Sequence, residues 1–317
     1  MTYAQYGLVQ ATDFNTLVGG NPTTTANTLN ATWATGGTNA GYGQTAVANV
    51  SAGNTVAATS QWATLVSNTA NAATHQGSSI TAVSTPVAGG TITFLSAIPT
   101  NLQTIYSNRL NASIQGSTSA NTATTVGTWS DVATFTHTVT FANGDAARYF
   151  FNSGGQLKIT CSHPSGTGIN LLLNNLASNV GTVALSSPTS GSATIAGVSY
   201  NGVTKVGGGG NSPTISTNTG YYALTTANAT LFTQTASTGP AGYLSTFIRV
   251  IAKSNGTQGS NGDAGSVITI YTVWDEIPNG LVVASGSATT VTAQAPETTY
   301  LANSWGTISV SGSVTVS

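Results

Sequence analysis

Acid–base or metal chemistry in this chain would have to come from three histidines and seven carboxylates. His75, His137 and His163 stand far apart, and none has the HxxxH spacing that places two imidazoles on one helix face around a metal. The carboxylates suited to proton transfer are Asp131, Asp145, Asp263, Asp275, Glu276 and Glu297. The adjacent pair Asp275-Glu276 falls in a strand-like stretch, where neighbours point to opposite faces, a poor arrangement for a glycosidase pair. NGDAG, from Asn261 to Gly265, lacks the alternating acids and distal Glu of a calcium loop. VGGGGNSP, from Val206 to Pro213, lacks the Lys-Ser/Thr of a phosphate loop. Cys161 is the single cysteine, so it reads as a small buried hydrophobe and no internal disulfide exists. The expectation is that catalytic, metal-binding and cofactor-binding residues are all absent.

The charges that remain read as structural. Asp145 and Arg148 are three apart in a turn, the spacing of a local ion pair or of caps. Arg249 and Lys253 are placed to reach Asp263 or Asp275 across a hairpin. His137 is read on the polar face of an alternating strand. Ligand contact, if any, falls to aromatics in or beside Gly/Asn/Ser-rich stretches: Trp33, Tyr42, Tyr221, Tyr222 and Tyr243. Beside a role in stacking on a glycan stands the plainer one of sealing strand ends or subunit contacts.

The elements that must position these residues fall into two regions. Residues 1–125 read as a helical docking or assembly region with an imperfect internal repeat. ATDFNTLV and ATSQWATLV each place a Thr (Thr12, Thr59) near an N-cap and an aromatic three residues before a Leu: Phe14 with Leu17, Trp62 with Leu65. A third helix is expected from Ile98 to Leu110, with Pro99 early in it. The intervening NPTTTANTLNATWATGGTNAGYGQ reads as loop.

Residues 126–317 read as a β-rich body. From Ala133 to Phe141 apolar residues recur every second position, with Phe135, Val139 and Phe141 on one face. QLKIT, GTVAL, SATIAGVSY, YYALT, TFIRVIAK, SVITIYTVW and GTISVSGSVTV are further strand candidates, the fifth and sixth joined as a hairpin. DAARYFFNSGG reads as a short turn or helical segment stopped by Gly154 and Gly155, and GINLLLNNLASNV as a short helix. The expected fold is mainly β with a helical N-terminal region: a β-sandwich-like body with short helices, of the α+β class.

Composition bounds the function. Charged residues are 4% of the chain, against roughly 25% in ordinary soluble proteins. A net charge of -1 leaves no footprint for nucleic acid. No apolar run reaches the ~18 residues of a membrane span. The hydrophobic fraction of 39% and the recurring β-branched residues exclude a highly charged disordered chain. MTYAQYGLVQATDF has no basic stretch followed by an apolar one, so no secretory leader is expected. A surface of hydroxyls and amides can pack on a partner without desolvating ions, and depends little on salt.

Several segments resemble one family. YGLVQATDFNTLVGG, SQWATLVSNTANAATHQG, WDEIPNG, TYLANSW and above all TFANGDAARYFFNSGGQLKIT are similar to virion structural proteins of T4-like cyanophages and related tailed bacteriophages. The resemblance implies a non-enzymatic tail, baseplate or neck component, of fibre or collar type, made in the host cytoplasm and released by lysis in the virion. The partners it implies are other phage structural proteins. Symmetric appendages and the uncharged surface predict a homo-oligomer, with a trimer as the expected state. The alternative reading is a receptor-binding adhesin that recognises a host surface glycan.

Overall fold

The computed structural model describes residues 10–87 and 96–317; Met1–Val9, where the leader reading and the start of the resemblance fall, lie outside the described residues. The fold is α+β, with antiparallel sheets.

The body begins with β1 (Gln115–Thr125), a strand inside the stretch that the sequence predicts as the helical region. Its QGSTSANTATT has no large apolar residue, so its period of two carries no hydrophobic amplitude. One five-stranded sheet runs β1, β12 (Ala288–Pro296), β3 (Gln156–Ser162), β4 (Thr182–Leu185) and β7 (Val203–Val206). A six-stranded sheet runs β13 (Ser309–Val316), β2 (Val132–Thr140), β11 (Val267–Asp275), β10 (Phe247–Ser254), β9 (Ala229–Thr235) and β8 (Thr214–Ile215). In β2, β10, β11 and β12 every second residue is buried, which is the pattern of strands with one face on a core. The inward residues of both sheets form one cluster, in which Phe135 of β2 meets Trp274 of β11 with ring centroids 6.0 Å apart.

The sheets approach at the β1–β13 edge, where the Thr122 hydroxyl donates to the Val310 carbonyl at 2.6 Å. Gly312 is required there, because a Cβ would collide with the Thr124 hydroxyl and the His137 ring. SATIAGVSY forms a small hairpin, β5 (Ala193–Ile195) and β6 (Val198–Tyr200), rather than one strand. YYALT is not a strand: Tyr221–Ala223 is a 3-10 turn. Its carbonyls are taken by a side chain instead of a neighbouring strand, the Gln258 amide donating to Tyr221 and Leu224 at 2.6 and 2.5 Å.

The helical region holds α1 (Ala11–Val18), α2 (Leu29–Thr32), α3 (Ala63–Gln76) and α4 (Ala97–Ser107). Its first helix starts at Ala11 after Gln10, whose N–H donates to the Asp13 carboxylate at 2.9 Å, so Thr12 is not the cap. Nor is Thr59, which lies in a single π turn, Ala58–Trp62, that leads into α3. The two repeat copies pack on each other: Phe14 and Trp62 meet edge to face with centroids 5.0 Å apart. Leu17, Leu65, Ile98, Leu102 and Ile105 complete this second core. α2 lies in the stretch read as loop, with all four residues buried.

Two more helices belong to the body. α5 (Gly144–Asn152) is capped by Asn143, whose side chain accepts the Ala146 N–H at 2.8 Å. α6 (Ile169–Val180) buries Ile169, Leu172, Leu173, Leu176, Ala177 and Val180, a stripe at helical spacing. It packs against β3 of one sheet and against β9 and β10 of the other.

Candidate functional site

Both ion pairs among the described residues lie where the helical region meets the body. In a chain with so few charges, that seam is where polar chemistry is concentrated. It is built on α5, which the NGD turn and Asn143 cap aim at the Thr35–Gly43 stretch. Arg148 is fully buried. Its Nη1 donates to the Ala40 carbonyl at 2.5 Å and its Nη2 to the Thr35 carbonyl at 2.8 Å. Nε and Nη2 both reach Asp145 Oδ1, at 3.2 and 3.1 Å, the pair expected from the sequence. One turn on, Asn152 Nδ2 donates to the Gly41 carbonyl at 3.0 Å and Asn152 Oδ1 accepts the Tyr222 hydroxyl at 2.5 Å.

The second half of the seam joins α3 to the end of β12. His75, fully buried, places Nε2 3.1 Å from the Ser153 carbonyl and Nδ1 3.4 Å from Glu297 Oε1. Burial pushes the His75 pKa down, with Glu297 pulling against it. Burial pushes Glu297 up, but the Thr299 hydroxyl and N–H and the facing His75 outweigh it and hold the carboxyl below its ordinary range. Tyr42 stands between: its hydroxyl donates to the Arg109 carbonyl at 2.9 Å and accepts from Gln76 at 2.7 Å. The Gln44 amide and the Ala302 backbone exchange two hydrogen bonds of 2.8 Å.

The five aromatics singled out in the sequence are not gathered at one tip. Trp33 is buried in the helical core, its indole donating to the Thr45 carbonyl at 3.1 Å. Tyr42 is buried in the seam, and Tyr221 stacks on Phe151 inside the body, centroids 4.2 Å apart. Tyr243 is half-buried against the body core. Tyr222, also half-buried, lines a cavity.

Other titratable residues are held by contacts within the fold. His137 is buried on the inner face of β2, a correction to its placement on the polar face. It shares parity with Phe135 and Val139, and its Nε2 lies 3.1 Å from the Thr124 hydroxyl. His163 lies between the Ser287 hydroxyl, 2.8 Å from Nδ1, and Asn170 Oδ1, 3.2 Å from Nε2. This Ser-His-Asn order has the parts of a nucleophile, base and orienter. Yet Ser287 is fully buried and also accepts the Trp129 indole N–H at 3.0 Å, so the group ties loops together. Burial pushes the Cys161 thiol up to about 12, which makes it a poor nucleophile.

Asp275 lies half-buried on the outer face, while Glu276 is buried and accepts the Gly280 and Leu281 N–H groups at 3.1 and 3.4 Å. Asp263 accepts the Ser260 N–H at 2.8 Å, and Asp145 of α5 accepts that of Gly262 at 3.2 Å, so the NGDAG loop is anchored by its own acid and by one from α5. Arg249 and Lys253 make no ion pair among the described residues; they lie over the Phe247 and Tyr271 rings at 4.4 and 5.8 Å. No group of three potential metal ligands occurs among the described residues.

Sequence reasoning missed the parts of the seam contributed by His75, Glu297, Asn152 and Arg109. The usable signal was the scarcity of charge itself: each ionisable residue kept in such a chain marks a place that needs it. No family model, curated protein or solved structure matches the chain.

Proposed function

We propose that this chain is a non-enzymatic structural protein of a tailed-bacteriophage virion, a fibre or collar component of the tail, baseplate or neck that packs against copies of itself and docks to the particle. The observation that carries this reading is the outer face of the six-stranded sheet at its β13–β2 side. There Ser309, Ser311, Ser313 and Thr315 stand in register with Thr140, Thr138, Thr136 and Thr134. Four cross-strand hydroxyl pairs with no charge among them offer donors and acceptors to a second subunit without the cost of desolvating ions. Natural edge strands are usually blunted with Lys or Pro, and β13, SVSGSVTV, has neither. The resemblance to phage structural proteins adds support, because its most specific segment forms the end of β2, α5 and β3, the part that locks the two regions together.

Multi-angle light scattering of the purified chain tests this, with a homo-oligomer, most simply a trimer, as the expected state. Thr136→Lys places a charge in the middle of the hydroxyl face, where it meets solvent in the monomer. It is expected to shift the population to monomer with little change in melting temperature. A wild-type chain that stays monomeric at micromolar concentration overturns the reading.

A further inference from the structure

At the rim of the seam a cavity of about 240 Å³ opens between the end of α4 and the loop before β5, lined by Arg109, Asn111, Thr189, Ser190, Ser192 and Tyr222 among others. Arg109 is the charged group in it. Three of its five N–H donors are used: Nε on the Asn39 carbonyl at 3.1 Å, Nη1 on the Tyr106 carbonyl at 2.9 Å and Nη2 on Asn39 Oδ1 at 3.0 Å. Every acceptor is neutral, and neither ion pair among the described residues involves Arg109. The guanidinium also lies 4.6 Å from the Tyr106 ring centroid. It is therefore a cation fixed in position and not neutralised, with two donors left.

The rest of the lining is complementary to a sugar. Thr189, Ser190 and Ser192 make no side-chain hydrogen bond within the described residues, and neither does the Asn111 amide nitrogen, whose partner oxygen takes the Thr194 N–H at 2.9 Å. Tyr222 offers its ring, since its hydroxyl is committed to Asn152. We infer that this cleft binds a single sugar unit bearing a carboxylate, of the uronic-acid class. A carboxylate matches the guanidinium fork, the free hydroxyls and amide match ring hydroxyls, and an aromatic ring suits the apolar face of a pyranose. The volume is below the ~300–1,000 Å³ of sites for larger ligands, so one ring is the fitting size. A cleft between two packed regions is a common place for such a site. The inference does not depend on the assembly reading.

The test is titration of the whole chain at low salt, by calorimetry or saturation-transfer NMR, with galacturonic acid, glucuronic acid, galactose and sodium sulfate. At least one uronic acid is expected to bind tenfold or more tightly than galactose, and to weaken as salt rises. Ser192→Trp, on an exposed loop position, is expected to abolish binding with the melting temperature unchanged. Arg109→Gln is expected to reduce the acid to the level of galactose. Four results would each overturn the inference: no binding by either acid, equal binding of acid and galactose, sulfate competing as tightly as the acid, or full binding by the Ser192→Trp chain.

Discussion

His75, His137 and His163 share one condition: each is buried, with both ring nitrogens of His75 and His163 and Nε2 alone of His137 near a polar partner, and burial lowers each pKa. For His75 and His163 a facing side chain, Glu297 or Asn170, offsets part of that shift. The unfolded chain therefore takes up protons first as pH falls through about 6.5. The stability these residues contribute is present above that pH and is lost below it. Glu297, also lowered, adds a loss of the same sign once pH falls below its ordinary range. Asp275 and Glu276, both raised by burial, act in the opposite sense: the stability they contribute is present in acid and lost as pH rises through their folded values. The histidine effect is therefore read between about pH 7 and pH 6, on either side of the ordinary imidazole value and away from the ordinary carboxyl range. Melting temperature measured across that interval is expected to fall steadily with acidification, and less steeply in His163→Asn. A flat profile would mean that the imidazoles are not held neutral. At this scale the sequence reading of His137 failed on a simple count, since steps of two from Phe135 land on it.

Among the elements, α5 does more than its length suggests. Phe150 and Phe151 are held in the body core while Arg148 and Asn152 take up backbone carbonyls of the Thr35–Gly41 stretch. The Tyr149 ring closes over Gly43, whose φ is +69° and whose missing Cβ would strike that ring. Gly43→Ala combines a disfavoured backbone with an overlap. It is expected to cost about 2 kcal/mol or more in urea denaturation, whereas Gly53→Ala, with open space around it, should cost only its backbone strain. α6 was readable because its apolar stripe is continuous, and β2, β10 and β11 because large residues alternate. β1 and β12 were not, because inward residues such as Thr289, Val291 and Ala293 are small or polar and give the period little contrast. β9 was not, because it buries the neighbours Leu231 and Phe232 where its register against β10 shifts, which breaks the period of two.

Among the described residues, a hydrophobic cluster in the helical region and a larger one in the body are joined by a polar seam, and a small third cluster sets Ala112 against Ala184, Ala193, Ile195 and Tyr200. Leu301, near the chain end, belongs to the helical cluster and reinforces the joint. Arg148→Met keeps most of the side-chain volume but strands the Ala40 and Thr35 carbonyls. The expected loss is about 3–5 kcal/mol. The wild-type chain is expected to unfold in a single calorimetric transition, and the variant in two. A single transition at a lower temperature would show that apolar contacts, rather than Arg148, couple the two regions.

The sequence alone determined the class of fold, because binary patterning reports which residues need burial whatever they pack against. It also determined the helix pair of the repeat, the Asp145–Arg148 pair and the near absence of charge. Only the tertiary structure decided which strands are neighbours, that β1 belongs to the body, that Tyr42 and Tyr221 serve the interior, and that His75 faces Glu297 at a separation of 222 positions in the chain. Such pairings depend on where distant segments arrive after the cores collapse. Side-chain type and local spacing carry no information about that arrival when the contacts are polar, few and made to backbone carbonyls that every residue has.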